Sequence, residues 1–166
     1  MKIKSDFVTN SSSSSFIVAF VTPIKEFDDV KDLIGMPDKA TQVLKDCKEQ
    51  KIRKIKTTKS LVKEITTELS EGYTLDFTKY QRTFCEREGI TNTELYKNHS
   101  WVSAFYKEFE AASLKECSKR AIKFIKDNEG GYLYIFHYGD DDGLFMSEME
   151  HGGTFSRLPH ITISKH

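Results

Sequence analysis

The sequence lacks the features that most often define a compartment or a chemistry. It has no apolar run of signal-peptide or membrane-span length, and its three cysteines form no CxxC pair. Cys47, Cys85 and Cys117 are odd in number and widely spaced, which argues against a disulfide framework or a zinc site. Cys47 and Cys117 fall at apolar positions of helical segments, so we expect buried, reduced thiols and a cytoplasmic protein.

The chain also lacks net charge, because its 25 basic side chains balance 25 acidic ones. This argues against a general nucleic-acid binder and against a membrane-surface protein. The charge is nevertheless uneven along the sequence. Residues 45–63 hold eight basic and two acidic side chains, whereas residues 127–150 hold seven acidic side chains and no basic one. These segments are either solvated surfaces, or one meets an anion while the other holds a cation.

The hydrophobic pattern predicts a sheet built from both ends of the chain. Residues 2–7 and 15–22 have strand character, and "SFIVAFVT" is apolar on both alternating faces, as is typical of a central strand covered on both sides. Residues 38–128 are largely helical, although "KIRKIKTT" within them is either a short strand or an irregular link. Residues 131–166 have the turn spacing of a β-meander.

The sequence therefore predicts one α+β domain over residues 1–166, with a mainly antiparallel sheet and a helical insertion. We expect "SFIVAFVT" to pair with "YLYIFHY", because both are equally apolar and a buried strand needs partners on both edges. Consecutive meander strands favour the antiparallel arrangement. That pairing would bring the serines of the N-terminal strand region close to Asp140–Asp142 in "GDDDG".

Five consecutive serines stand out in "VTNSSSSS", which we interpret as a loop at a strand end. Each serine offers a hydroxyl beside its backbone N–H, and successive N–H groups can form a concave anion site. The segment lacks the glycines and the Gly-Lys of a nucleotide-binding P-loop. The alternative is a solvated polar loop or a serine-rich strand edge. The candidate ligand-binding residues are Thr9, Asn10, Ser11, Ser12, Ser13, Ser14 and Ser15.

The opening "KSDFVTNSSSSSFIV" resembles an N-terminal signature of uncharacterised bacterial and phage proteins that begin close to "RSDFVTNSSSSSF". Lys4 stands where that signature has arginine. The C-terminal "EHGGTFSRLPHITISKH" is similar to the way in which some members end. The resemblance brings no known activity, but it implies that the serine run belongs to a reusable module.

Acidic and histidine residues are concentrated near the C-terminus. Two carboxylates and two imidazoles on neighbouring strands could hold Zn²⁺, Mn²⁺ or Fe²⁺, and a metal-bound water would be a hydrolytic nucleophile. No HxH or HExxH motif is present, so a solvated acidic hairpin is the alternative. The candidate metal ligands are Glu148, Glu150, His151 and His160, with Asp140–Asp142 nearby.

Two functions follow from these residues. The one that the sequence favours is a non-enzymatic binding or accessory protein that contacts a small anionic ligand or a protein partner through Ser11–Ser15. The other is a metal-dependent phosphoester hydrolase with its site in the C-terminal meander. No motif assigns a cofactor. The second function would require a divalent metal ion.

Overall fold

The computed structural model describes residues 13–34, 37–72, 75–139 and 153–164. It confirms the α+β class, with an antiparallel sheet from both chain ends and helices between them. Strands are β1 (Ser13–Phe20), β2 (Arg53–Lys54), β3 (Tyr132–Gly139) and β4 (His160–Ser164). Helices are α1 (Phe27–Ile34), α2 (Pro37–Glu49), α3 (Lys59–Ser70), α4 (Phe77–Glu88), α5 (Asn92–Lys97) and α6 (His99–Asp127). The chain divides into two compact units, residues 1–56 with 128–166 and residues 57–127.

The sheet belongs to the first unit, and among the described residues its strand order is β2-β3-β1-β4. Strand β1 is central and runs antiparallel to β3, from Ser13 opposite Gly139 to Phe20 opposite Tyr132. Both the central position and the antiparallel pairing of "SFIVAFVT" with "YLYIFHY" are confirmed. "KIRKIKTT" supplies the two-residue edge strand β2. The strands predicted at 2–7 and 144–151 lie outside the described residues.

Strand β1 is buried on both of its faces, as its sequence predicts. Phe16, Val18 and Phe20 belong to a core cluster that includes aromatic residues of β3 and apolar residues of α1 and α2. On the opposite face, Ile17 and Ala19 are also buried. Seven consecutive buried residues in one strand explain why the sequence shows no polar alternation there.

The second unit consists of α3 to α6, and well-formed caps set the starts of its shorter helices. Asp76 begins α4 by accepting a hydrogen bond from the N–H of Lys79, and Thr91 forms a reciprocal capping box with Glu94. Phe105 of the long helix α6 is buried in a core that also holds Phe84 of α4. The helix that the sequence predicts over 98–128 is therefore confirmed as α6.

Candidate functional site

The serine run continues into the sheet. Of the seven candidate ligand-binding residues, Thr9, Asn10, Ser11 and Ser12 lie outside the described residues, whereas Ser13, Ser14 and Ser15 form the start of β1. The strand thus begins two residues earlier than its apolar pattern indicates, so Ser13 and Ser14 are strand residues where a loop is predicted, whereas Ser15 lies within the strand predicted at 15–22. Ser14 and Ser15 are each only 1% exposed. Their hydroxyls therefore face neighbouring groups of the protein, while Ser13 remains half-exposed.

Ser15 is paired with a histidine across the sheet. The register places His137 of β3 directly opposite Ser15, and the Ser15 Oγ lies 2.9 Å from the His137 Nδ1. When the hydroxyl donates to Nδ1, the ring proton resides on Nε2, which can then donate to another group. The His137 side chain is exposed. Ser15 consequently orients the imidazole of an exposed histidine.

The neighbouring cross-strand pair leaves space beside this imidazole. Ser13 lies opposite Gly139, and a Cβ at Gly139 would meet no heavy atom of the described residues within 4 Å. Because side chains two residues apart in a strand share a face, Ser13, Ser15, His137 and Gly139 lie on the same face of the sheet. We call these four residues the serine notch. It combines a half-exposed hydroxyl, an oriented imidazole and an open glycine position.

On the other face of the sheet, polar side chains fasten α2 to β3. The Tyr138 hydroxyl donates to the Asp46 Oδ2 at 2.8 Å, and the Gln42 amide donates to the Asp46 Oδ1 at 2.7 Å. The Gln50 side-chain oxygen accepts a hydrogen bond from the Ile135 N–H at 3.0 Å. Both carboxylate oxygens of Asp46 are therefore used in holding α2 against β3.

The predicted metal ligands are only partly placed. Glu148, Glu150, His151 and Asp140–Asp142 lie outside the described residues, and within the described ranges no group of three or more potential ligands comes together. His160 lies at the start of β4, where its Nδ1 is 2.9 Å from the carbonyl oxygen of Leu158. His160, Thr162 and Ser164 are all exposed, whereas Ile163 is buried. The strand thus alternates between exposed polar positions and less exposed isoleucines.

The basic segment of the first unit is a lysine-rich surface. It follows α2 into β2, and its lysines make no ion pair within the described ranges. The exposed lysines are Lys45, Lys48, Lys51, Lys54 and Lys56.

Sequence reasoning does not identify His137 as the partner of the serines. The antiparallel pairing predicted for the two apolar strands is the signal that could identify it. A register in which Phe16 meets Phe136 puts Ser15 opposite His137.

Comparison of the chain with protein-family models, with curated proteins and with solved structures finds no match. Any function assigned to the chain therefore depends on its own side-chain geometry. In the parts of the chain that the structure describes, no helix is both long enough and apolar enough to cross a membrane.

Proposed function

We propose that the protein is a non-enzymatic binding module of bacterial or phage type that holds a small anionic ligand at the serine notch. The observation that supports this function is the 2.9 Å contact between the Ser15 Oγ and the His137 Nδ1. The contact orients an exposed imidazole next to the open position at Gly139. The resemblance of the N-terminus to a signature of bacterial and phage proteins supports a portable module of this kind.

The groups of the serine notch suit a carboxylate or a phosphate. An imidazole N–H of the exposed His137 is the kind of donor that an anionic oxygen accepts from. The half-exposed hydroxyl of Ser13 is a second donor on the same face. Charge-assisted hydrogen bonds to such a donor pair are stronger than neutral ones, which favours an anion over a neutral ligand.

The burial of Ser15 argues for binding over catalysis. A serine nucleophile must reach the substrate, yet Ser15 is 1% exposed and its hydroxyl is directed at the imidazole. We therefore assign Ser15 the role of holding the ring, and His137 with Ser13 the role of contacting the ligand.

An NMR titration of the histidine ring protons with inorganic phosphate tests this function. We expect the ring signals of His137, which His137→Gln identifies by their loss, to shift in a saturable way. His160→Gln is the matched control, because His160 is also an exposed strand histidine whose Nδ1 is engaged by a neighbouring oxygen. Equal phosphate shifts at both histidines would mean non-specific ion binding and would rule out the serine notch.

A second candidate function is the metal-dependent phosphoester hydrolase. The observation that favours it is the contact of the His160 Nδ1 with the Leu158 carbonyl, since a metal-binding histidine typically donates its other ring N–H to such an oxygen. Elemental analysis of protein purified without chelator tests it. One equivalent of Zn, Mn or Fe that is lost in His160→Gln would support the hydrolase. Metal-free protein, even after incubation with each ion, would exclude it.

A further inference from the structure

A second surface, separate from the serine notch, lies along the β3 side of the sheet. The chain from the end of α2 to β2 follows β3 in the opposite direction. Asp46 contacts Tyr138, Gln50 contacts Ile135, and Lys54 pairs with Tyr132. From residue 138 to residue 132, a strand rise of about 3.3 Å per residue gives this segment a length of roughly 20 Å. That length matches about six residues of an extended peptide.

The outward side of this segment is cationic. The exposed lysines named above are spread over its whole length, with Lys45 and Lys48 on the last turns of α2 and Lys54 in the edge strand. None of them is neutralised by an ion pair with a residue that the structure describes. The charge of the segment is therefore available to a partner.

A surface groove opens on the same helix. It has a volume of about 300 Å³ and is lined on α2 by Thr41, Leu44, Lys45, Lys48 and Glu49. We call it the α2 groove. Its lining includes one apolar side chain, the partly buried Leu44, which also packs against the core cluster and lies on the same helix beside Lys45 and Lys48. A purely electrostatic contact would not need the apolar position, so the groove favours a ligand with both an apolar group and negative charge.

We propose that the α2 groove binds an acidic peptide segment of a protein partner, with one apolar side chain against Leu44 and flanking carboxylates at Lys45 and Lys48. A peptide fits better than a nucleic acid for two reasons. Glu49 lies in the lining and would repel a continuous phosphate backbone, whereas a peptide can place a neutral or donor group there. The chain as a whole has no net charge, so it lacks the broad positive field that backbone binding requires.

The probe that tests the proposal is a fluorescein-labelled peptide of six Asp and Glu residues with one central Leu, measured by fluorescence anisotropy. We expect saturable binding that weakens as salt is added, because the lysines are exposed and screened. Lys45→Gln combined with Lys48→Gln should raise the Kd by about tenfold, the size expected when two exposed charge contacts are lost. The control is Lys107→Gln combined with Lys115→Gln, two exposed lysines of α6, which should leave the Kd unchanged.

Two further measurements separate the groove from general charge attraction. Thr41→Trp should fill the groove without altering its charge and should weaken the Leu peptide, but not the same peptide with Ser in place of Leu. Both lysine pairs lie on exposed helix surfaces, so unchanged thermal unfolding will show that each variant folds. The proposal is overturned by equal effects of the two lysine pairs, by equal binding of the Leu and Ser peptides, or by tighter binding of a single-stranded oligonucleotide of the same charge.

Discussion

The hydroxyl of Tyr134, in the middle of β3, accepts a hydrogen bond from the backbone N–H of Ile24 at 3.0 Å. Tyr134 is completely buried, and its ring packs edge-on against Phe20 at a centroid distance of 5.3 Å. One buried hydrogen bond thus joins the segment that follows β1 to the neighbouring strand β3. A buried N–H without an acceptor is costly, so this contact has a measurable consequence.

We expect Tyr134→Phe to lower the free energy of unfolding by about 1–3 kcal/mol, because the Ile24 N–H would lose its acceptor while the ring would stay packed. Urea unfolding at neutral pH measures the change. Tyr132→Phe is the control, since its hydroxyl makes no hydrogen bond within the described ranges and its loss should cost less than about 0.5 kcal/mol. Equal losses in the two variants would contradict the role given to the Tyr134 hydroxyl.

The backbone before β3 leaves no room for a side chain. A Cβ at Gly131 would lie 2.9 Å from the carbonyl oxygen of Phe20 and 3.2 Å from that of Asn128. Both oxygens belong to the backbone and cannot rotate away, so Gly131→Ala should destabilise the fold by roughly 1–3 kcal/mol. Gly139→Ala, at the other end of the same strand, meets no atom within 4 Å in the part of the chain that the structure describes, and it should be nearly neutral. The comparison requires only two thermal melts, and equal melting temperatures would refute the predicted clash.

The thiol of Cys47 makes the stability depend on alkaline pH. Burial raises its pKa to about 12, and the charge of the adjacent Asp46 adds to the shift. An unfolded chain ionises this thiol near its ordinary value of 9.0, whereas the folded protein keeps it protonated to about 12. The free energy of unfolding is therefore unaffected by this thiol below pH 9. Between pH 9 and about pH 12 it falls by up to about 1.4 kcal/mol per pH unit, because only the unfolded chain loses the proton.

Replacing the thiol should remove this pH dependence. We expect Cys47→Ala to lose some stability at pH 7, because it opens a small cavity, and to show a shallower decline of the unfolding free energy between pH 9 and 11. Burial also raises the pKa of Tyr134, so a part of the decline above pH 10 should remain in the variant. Parallel pH profiles for the wild type and the variant would mean that folding does not change the pKa of Cys47, and they would contradict the prediction.

Local patterns were enough to predict the sheet but not its side-chain contacts. The continuous apolar run of β1 predicted a strand buried on both faces, because successive side chains of a strand point to opposite faces. The equally apolar sequence of β3 indicated that it is the neighbour of β1. Ser14 and Ser15 carry no such signal. Their burial depends on how far the neighbouring strands extend, and the residue types alone do not give that length. The four-residue extent of the serine notch appears only once the register is known.

Side-chain contacts between residues far apart in the sequence could not be predicted either. Tyr138 and Asp46 meet because α2 packs across β3, and the pattern of α2 indicates which face is apolar but not where it crosses the sheet. The same holds for Gln50 and Ile135, which are 85 residues apart. Amphipathic periodicity fixes the orientation of a helix about its axis, whereas its position along the sheet depends on packing.

Thr154 presents the opposite situation to Tyr134. It is 1% exposed, and its buried hydroxyl oxygen has no hydrogen-bond partner within residues 13–34, 37–72, 75–139 and 153–164. The centroid of the Phe155 ring lies 5.0 Å from that of Phe136 and 5.3 Å from that of Phe16. The backbone next to Thr154 is therefore held by the aromatic core. The hydroxyl has therefore been taken out of water without compensation, which is unfavourable.

Thr154→Val exchanges this hydroxyl for a methyl group of nearly the same shape and keeps the β-branch. We expect the free energy of unfolding to rise by up to about 1 kcal/mol, since an unpaired buried hydroxyl contributes a desolvation cost that valine lacks. Urea unfolding measures the change, and Thr162→Val on the exposed face of β4 is the control, with an expected change below about 0.5 kcal/mol. A loss of more than 1 kcal/mol in Thr154→Val would mean that the hydroxyl has a partner in solution, such as a bound water, and that its burial is compensated.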